Sequence, residues 1–210
     1  KFTPIGPAEK VERRQSFGYS ADDYLLFYAA EFNRNKNHQF LIHAIAHLIE
    51  SVPNVKLLLA GDGELLEECR NLTKRLEISD HVEFLGFRND IDRLLPICDV
   101  LVSSSQREGL PVNVMEGMAC GLPVIATQNR GHNELVRDSQ NGWIVEQNDR
   151  QSMVEKLAEL YFNPVMASMM GTKGREIMES SYSVGTVLQQ VSRIYQSYMS
   201  GMEEEVWTAQ

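Results

Sequence analysis

Short runs of consecutive hydrophobic residues alternate along the chain with segments in which hydrophobic residues recur every three or four positions. Six runs have the length and composition of buried strands, and they cover residues 25–30, 55–60, 82–85, 99–103, 123–126 and 142–145. Strands without polar alternation, separated by helices, are typical of a parallel sheet that is covered on both faces. The pattern therefore predicts an α/β fold with a doubly wound parallel sheet of about six strands.

The helical segments support this Rossmann-like arrangement. Helical spacing is clearest at Leu41, Ala44, Ile45 and Leu48, and three helical stretches over 150–162, 164–180 and 184–199 close the chain. Since there is no internal repeat or low-complexity tract, we expect one domain over residues 15–200. We expect residues 1–14 to be a linker from a preceding domain and residues 201–210 to be a solvated tail.

Composition and charge narrow the functional classes. The 210 residues include 20 Lys+Arg and 29 Asp+Glu, a net charge of −9, which argues against a nucleic-acid-binding surface. The three cysteines are far apart and form no CxxC pair, so a disulfide scaffold or a zinc ribbon is not expected. With no signal-peptide pattern and no apolar run long enough to span a bilayer, we expect a cytoplasmic protein.

A doubly wound sheet binds ligands at the carboxyl ends of its strands, where the strand order reverses. For the order 3-2-1-4-5-6, this crevice lies between the loops that follow the first and fourth strands, residues 31–36 and 104–112. In the second loop Pro111 suits the first position of a helix. The N–H groups of Val112, Asn113 and Val114 would then be free to bind a phosphate, and Gly109 would let the ligand approach the backbone.

Two carboxylates flank this predicted phosphate site. Glu108 lies in the loop, and Glu116 lies roughly 8 Å along the helix axis. Carboxylates do not hold a phosphate, but they accept hydrogen bonds from hydroxyl groups, so a sugar on one side and a ribose on the other would suit both. The alternative is that both are ordinary surface acids.

The loops after the first three strands contribute further candidates. Arg34 and Lys36 are cations that would compensate a diphosphate, although a lysine in a loop is often simply solvated. Gly61 belongs to a tight turn after the second strand. Phe87 and Arg88 follow the third strand, where they could lie against a base.

Other motifs favour no further chemistry. His43 and His47 have a spacing compatible with a metal, but they share a polar helix face with Glu50, so we predict no metal site. Neither a phosphate-binding GxxxxGK[ST] loop nor a GxGxxG after the first strand is present, which disfavours a P-loop kinase and a dinucleotide dehydrogenase.

Several of these motifs together closely resemble the signature of the family 4 retaining glycosyltransferases (glycosyltransferase group 1), in which seven residues separate two glutamates. The matching residues are Ser103-Ser104-Ser105-x-x-Glu108-Gly109-Leu110-Pro111-x-x-x-x-Glu116-x-Met118-Ala119-x-Gly121-x-Pro123-Val124-Ile125-Ala126, with Asn35-Lys36-Asn37-His38, Ala60-Gly61-Asp62-Gly63, Phe84-Leu85-Gly86-Phe87, Gly131 with Glu134-Leu135-Val136, and Asn141-Gly142. The likeness extends from about Lys1 to Met199.

The resemblance implies that the chain is the C-terminal, donor-binding half of a two-domain GT-B enzyme that uses a nucleotide-diphosphate sugar and no metal or other cofactor. It assigns the catalytic roles to Glu108, which contacts the transferred sugar, and to Lys36. It assigns the ribose to Glu116, and the diphosphate to Lys36 together with the backbone of Gly109, Leu110, Pro111 and Val112. The base would lie near Phe87–Arg88.

The resemblance also carries expectations for the whole enzyme. The acceptor, a glycan or a lipid-linked molecule of polysaccharide biosynthesis, would be recognised by a missing N-terminal domain, so this chain alone should transfer nothing. Peripheral membrane association of the whole enzyme at the inner face is compatible with such an acceptor. Two alternatives stay open: a sugar-nucleotide epimerase of the same fold, and a non-catalytic module that binds a nucleotide sugar.

Two positions depart from the family pattern. Many members carry Arg five residues before the lysine, where this chain has Glu31, so either Arg34 supplies the second cation or Lys36 and the helix dipole act without one. The usual Gly-Gly is here Gly131-His132, which we expect to alter the sugar pocket.

Overall fold

The chain folds around a six-stranded parallel sheet, in a computed structural model that describes residues 1–207 and the side chains of residues 1–199. The strand order is β3-β2-β1-β4-β5-β6, so the predicted doubly wound topology is confirmed. The strands are β1 Tyr24–Ala29, β2 Val55–Ala60, β3 Val82–Gly86, β4 Val100–Ser103, β5 Val124–Thr127 and β6 Gly142–Val145.

Helices lie between the strands and follow the last one. They are α1 Pro7–Ser16, α2 His38–Leu48, α3 Leu66–Arg75, α4 Ile91–Leu94, α5 Val112–Ala119, α6 Arg130–Leu135, α7 Arg150–Phe162, α8 Pro164–Ser181 and α9 Val184–Trp207. Short 3₁₀ turns at Ser79–His81 and Leu95–Ile97 precede β3 and β4. The order of elements is the one that the hydrophobic pattern predicts, with the addition of α1 and α6.

The core lies at the centre of the sheet. Leu25, Leu26 and Phe27 in β1 and Leu101 in β4 are fully buried, as a strand covered on both faces requires. β1 and β4 are parallel neighbours, with Phe27 opposite Leu101. Because β1 begins one half of the sheet and β4 begins the other, their carboxyl ends form the crevice at which the strand order reverses.

Residues 1–14, which we predicted to be a linker from a preceding domain, include most of a helix, and their role as a linker stays a prediction. Pro7–Ser16 forms α1, with Pro7 at a position that suits the first turn and Glu9 and Arg13 at the ends that favour their charges. Arg14 is buried and donates to Ile97 O (2.8 Å) and Asp99 Oδ2 (2.6 Å). The hydrophobic pattern did not predict α1 because this helix is too polar to show a hydrophobic stripe, and its anchor is the partly buried ion pair of Arg14 with Asp99.

The chain divides into two compact units, residues 1–175 and a second that begins at Glu176 within α8. The prediction of one domain over residues 15–200 rests on helical periodicity, which indicates an amphipathic helix but not the residues against which it packs. The predicted tail over 201–210 overlaps the last turns of α9, and its side chains lie outside the described residues.

Two further features concern the chain as a whole. Cys69, Cys98 and Cys120 are buried and unbonded to one another. Among residues 1–207, no helix combines the length and the apolar character needed to cross a bilayer. The cytoplasmic location stays a prediction.

His38, at the start of α2, is a buried histidine whose ring nitrogen Nε2 has no hydrogen-bond partner. Its ring stacks on Phe32 at a centroid distance of 4.0 Å. Burial, and secondarily the charge of Lys36, lowers the pKa of His38 to about 3. In the unfolded chain the same ring takes up a proton near its ordinary pKa of about 6.5.

We therefore expect the free energy of unfolding to fall as the pH drops from about 6.5 toward 3, because in this range His38 binds a proton in the unfolded state but not in the folded state. His38 alone should cost about 2 kcal/mol of unfolding free energy at pH 5 relative to pH 7.5. The variant His38→Phe keeps the stack and removes the titration, so its urea-unfolding free energy should change less between these pH values. His47→Gln on the exposed face of the same helix is the control. Equal pH dependence in the wild type and His38→Phe would contradict this account.

Candidate active site

The loops after β1 and β4 meet at the crevice, and a buried polar cluster joins them. Ser104 Oγ donates to Lys36 O (2.7 Å), and Tyr28 Oη donates to the same carbonyl (3.2 Å). Tyr28 Oη and Ser105 Oγ lie 2.8 Å apart. Burial raises the pKa of Tyr28 to about 12, so its hydroxyl keeps its proton at neutral pH. The backbone of Lys36 is thereby fixed against β4.

Lys36 and Glu108, the two predicted catalytic residues, form an ion pair across the crevice. Lys36 Nζ lies 2.5 Å from Glu108 Oε1, and the two side chains are 24% and 12% exposed. A charge-assisted hydrogen bond at this depth is stronger than a surface pair, since water screens it less. These two charges therefore neutralise each other.

The helix start beside Glu108 differs in one detail from the prediction. α5 begins at Val112, and Pro111 is its N-cap with φ −77° and ψ 94°, rather than its first helical residue. The N–H of Val114 is paired, with Pro111 O (3.1 Å) and Asn113 Oδ1 (2.9 Å) as acceptors. Within the described part of the chain, the N–H groups of Val112 and Asn113 are the unpaired donors of this first turn. The predicted anion site thus has two donors instead of three.

Around this helix start the surface is open. Leu110 and Val112 are exposed, at 52% and 58%. A Cβ added at Gly109 would have open space around it, so the packing of the chain itself does not require glycine there. A ligand that binds close to this backbone would explain the glycine, because a side chain at position 109 would stand in its way.

Glu116 is half-buried on α5. Burial raises the pKa of its carboxyl, while the charge of Lys1 lowers it and that of Asp92 raises it again. Asp92 belongs to α4, which follows the loop of Phe87 and Arg88 in the chain. Glu108, by contrast, is tied to Lys36. The two predicted carboxylates therefore sit in different electrostatic surroundings.

A pocket of about 400 Å³ opens at the ends of the first three strands, and we call it the β1–β3 pocket. It is lined by the predicted residues Gly61, Phe87 and Arg88, together with Ala29–Glu31, Ala60, Asp62 and Ile91. Phe87 is 83% exposed, so its ring is free to stack on a ligand. Arg88 binds both carboxylate oxygens of Asp90, at 2.8 and 2.6 Å, and its guanidinium is engaged.

Gly61 is required by the close approach of two loops. It has φ +144°, and an added Cβ would lie 2.1 Å from Ala30 O. We expect Gly61→Ala to lower the unfolding free energy by several kcal/mol, since both backbone strain and displacement of β1 contribute. Gly18→Ala is the matched control, because Gly18 has φ +86° and open space around it. Equal losses in chemical denaturation would show that the contact with Ala30 is unimportant.

Arg34 does not line the β1–β3 pocket. It lines a separate cavity of about 270 Å³ with His38, Leu65 and Gln106. Glu31 does line the β1–β3 pocket, and its Oε2 accepts from Asn33 Nδ2 (2.9 Å). The structure thus brings Lys36 to Glu108 and leaves Arg34 outside the pocket of Phe87.

The sequence did not predict a buried hydrogen-bond network that lies behind Glu108. His132 Nδ1 lies 2.6 Å from Thr127 O and 2.8 Å from Asn129 Nδ2, and Nε2 on the other side of the ring lies 3.0 Å from Ser103 Oγ. Burial lowers the pKa of His132, which keeps the ring neutral. Asn129 is the N-cap of α6, where its Oδ1 accepts a hydrogen bond from His132 N (2.9 Å). Its Nδ2 donates a hydrogen bond to Ser105 O (2.8 Å). The N-cap signal of Asn129 could have been found in the sequence, but its partners could not.

Gly131 completes this support. Its N–H donates to Glu108 O (3.1 Å), and an added Cβ would lie 2.8 Å from Gly109 O. The departure Gly131-His132 therefore keeps the glycine that the loop contact needs and adds a buried ring beneath it. Among the described residues, no group of three or more His, Cys, Asp or Glu side chains could hold a metal ion.

Comparison with known proteins agrees with this geometry. The family model of glycosyl transferases group 1 matches residues 9–177. The putative glycosyltransferase EpsD of Bacillus subtilis is 39% identical over 199 residues, which are 95% of this chain and 52% of that protein. The chain spans about half the length of the curated relatives that it matches most strongly.

Solved structures share the fold. The crystal structure of Anabaena Alr3699/HepE in complex with UDP has a TM-score of 0.85 and 26% identity, over 92% of this chain and 54% of that one. The C-terminal domain of the glycosyl transferase group 1 family protein LpcC from Francisella tularensis has a TM-score of 0.78 and 21% identity, over 87% and 96%. The second likeness concerns the fold alone.

Proposed function

We propose that this chain, which belongs to the glycosyl transferases group 1 family, is the donor-binding half of a retaining, family 4 glycosyltransferase of GT-B architecture. Its donor would be a nucleotide-diphosphate sugar. The observation that carries the proposal is the Lys36–Glu108 pair, held at the switch point of the sheet beside the unpaired N–H groups of α5. The likeness to the Anabaena protein that holds UDP supports the same ligand class.

The diphosphate would lie between Lys36 and the first turn of α5. The N–H groups of Val112 and Asn113 and the positive end of the helix dipole favour an anion there. Lys36 would turn from Glu108 to a phosphate oxygen, where its positive charge would compensate the larger negative charge of the diphosphate. A chain with a net charge of −9 needs only this local arrangement to hold a diphosphate.

The nucleoside would lie toward the first three strands. Phe87 offers an exposed ring for the base at the mouth of the β1–β3 pocket. Glu116, half-buried on α5, would accept hydrogen bonds from ribose hydroxyls. Arg88 would bound the pocket without binding a phosphate, since Asp90 already occupies its guanidinium.

The transfer would proceed on one face of the sugar. The bond from the anomeric carbon to the leaving phosphate oxygen breaks, the acceptor oxygen bonds to that carbon from the same side, and the acceptor proton passes to the departing diphosphate. Glu108 would contact the transferred sugar as positive charge develops on its ring, and Lys36 would stabilise the departing diphosphate. We propose that no metal takes part, which predicts undiminished transfer in EDTA.

The acceptor would be recognised by an N-terminal half, so residues 1–210 alone should transfer nothing. A glycan or a lipid-linked molecule is the proposed acceptor class, and the whole enzyme would then work in the cytoplasm, at the inner face of a membrane. The test is a transfer assay with both halves present, in which nuclear magnetic resonance shows product and donor with the same anomeric configuration. An inverted product would contradict retention. Turnover of a nucleotide sugar without acceptor would indicate an epimerase.

Replacing Glu116 separates ribose binding from phosphate binding. We expect Glu116→Gln to weaken UDP or GDP binding about tenfold, because a neutral amide is a poorer acceptor for two hydroxyls. Inorganic pyrophosphate, which has no ribose, should bind the wild type and the variant equally in calorimetric titrations. The exposed Glu134→Gln is the control. An equal loss for both ligands would mean that Glu116 acts on the diphosphate or on the fold.

A further inference from the structure

Asn35 links the two loops that carry Lys36 and Glu108. Its side-chain Nδ2 donates to Arg107 O (3.0 Å), and its Oδ1 accepts from Arg107 N (3.1 Å). Its own backbone carbonyl accepts from Gln106 N (2.8 Å). Three hydrogen bonds therefore run from the residue before Lys36 to the two residues before Glu108.

These bonds continue the contact of β1 and β4 beyond the point where their pairing ends. The last paired residues of these two strands are Phe27 and Leu101, so the strand pairing of β1 with β4 does not reach residues 106–107. The side-chain amide of Asn35 donates one hydrogen bond to the backbone of Arg107 and accepts another from it, as a neighbouring strand would. Among side chains of this length only a carboxamide has both a donor and an acceptor in one plane.

We propose that Asn35 is a positioning residue that sets the separation of Lys36 and Glu108 by fixing the backbone of both loops. This inference rests on the proposed function. Asn35 touches neither charged side chain, and each charged residue directly follows a clamped one in the chain. A lysine side chain is flexible, so the position of its backbone decides how often Nζ reaches the diphosphate. A displacement of about 1 Å at such a site can cost a large factor in rate.

The clamp itself is testable without a ligand. Gln106 and Arg107 have exposed side chains, so the protection of their N–H groups should come from Asn35. In hydrogen exchange by nuclear magnetic resonance, Asn35→Ala should speed exchange at Arg107 at least tenfold. Asn35→Asp should keep the acceptor for Arg107 N–H but place a second oxygen against Arg107 O. The control is Asn163→Ala, which removes an exposed amide bonded to Glu159 O.

A double-mutant cycle then separates positioning from folding. We expect Asn35→Ala and Asn35→Asp to weaken UDP or GDP binding about tenfold, with Asn163→Ala unchanged. In the Lys36→Ala background the effect of Asn35→Ala should fall below twofold, because the group that Asn35 positions is gone. A merely structural role would give the same factor in both backgrounds.

The outcomes are distinct. Nucleotide binding by the wild type that Asn35→Ala leaves unchanged, or that it weakens equally in both backgrounds, overturns the positioning role and leaves the proposed function standing. Failure of the wild type to bind either nucleotide overturns the proposed function, and with it the role of Asn35. Unchanged exchange at Arg107 in Asn35→Ala overturns the clamp whatever the ligand does.

Discussion

Lys36→Ala is expected to lower the affinity of the chain for a nucleoside diphosphate by about 30-fold, the largest single effect on binding. The residue supplies the cation at Glu108, and its backbone is fixed by Ser104 and Tyr28. A hydrogen bond to a charged group contributes about 2 kcal/mol, which corresponds to the stated factor. Isothermal titration calorimetry with UDP and GDP measures it directly.

The matched control is Lys74→Ala. Lys74 is exposed in α3, and its removal changes the net charge by the same amount. It should therefore leave the affinity unchanged, which would exclude a general effect of charge. An equal loss in Lys36→Ala and Lys74→Ala would mean that the diphosphate responds to the overall field. No loss in Lys36→Ala would place the diphosphate elsewhere.

Glu108→Gln should separate binding from transfer. The substitution removes the negative charge that pairs with Lys36, so Lys36 is free to bind the diphosphate and UDP or GDP should bind as tightly as to the wild type or more tightly. Transfer by the enzyme with both halves should fall at least about 100-fold, because a preorganised charge near the reacting sugar is lost. The backbone contact of Glu108 with Gly131 does not depend on the side chain, so the loop should stay in place.

Opposite changes in the two measurements are what identify the role of this carboxylate. Weaker nucleotide binding in Glu108→Gln would show that Glu108 holds Lys36 in a productive position rather than competing for it. Full transfer activity would show that the carboxylate takes no part in the reaction. Glu134→Gln, at an exposed position, should change neither quantity.

The sheet could be predicted because its strands are continuous hydrophobic runs. Leu25–Phe27 and Leu101 are buried on both faces, and only a covered parallel sheet makes such runs favourable. The strand order then placed the loops of Lys36 and Glu108 at one crevice before any contact was known. The ends of elements were harder: α1 has no apolar stripe, and Pro111 is a cap rather than the first helical residue.

The hydrogen bonds that support the site could not be predicted, because they join residues that are distant in the chain. The contact of Asn35 with Arg107 spans 72 residues, and that of Ser103 with His132 spans 29. Local patterns carry no information about such pairs. Arg34 illustrates the same limit: its sequence position close to Lys36 suggested a shared role, but Arg34 lines the cavity with His38 and Gln106, whereas Lys36 pairs with Glu108.

The most direct test of the donor-binding role is a calorimetric titration of residues 1–210 with UDP and with GDP, supported by the shift in melting temperature. We expect one-to-one binding of at least one of the two nucleotides and a higher melting temperature in its presence, with the affinity about 30-fold lower and the temperature shift correspondingly smaller in Lys36→Ala. A folded chain that neither binds these nucleotides nor gains stability from them at millimolar concentration would contradict the donor-binding role.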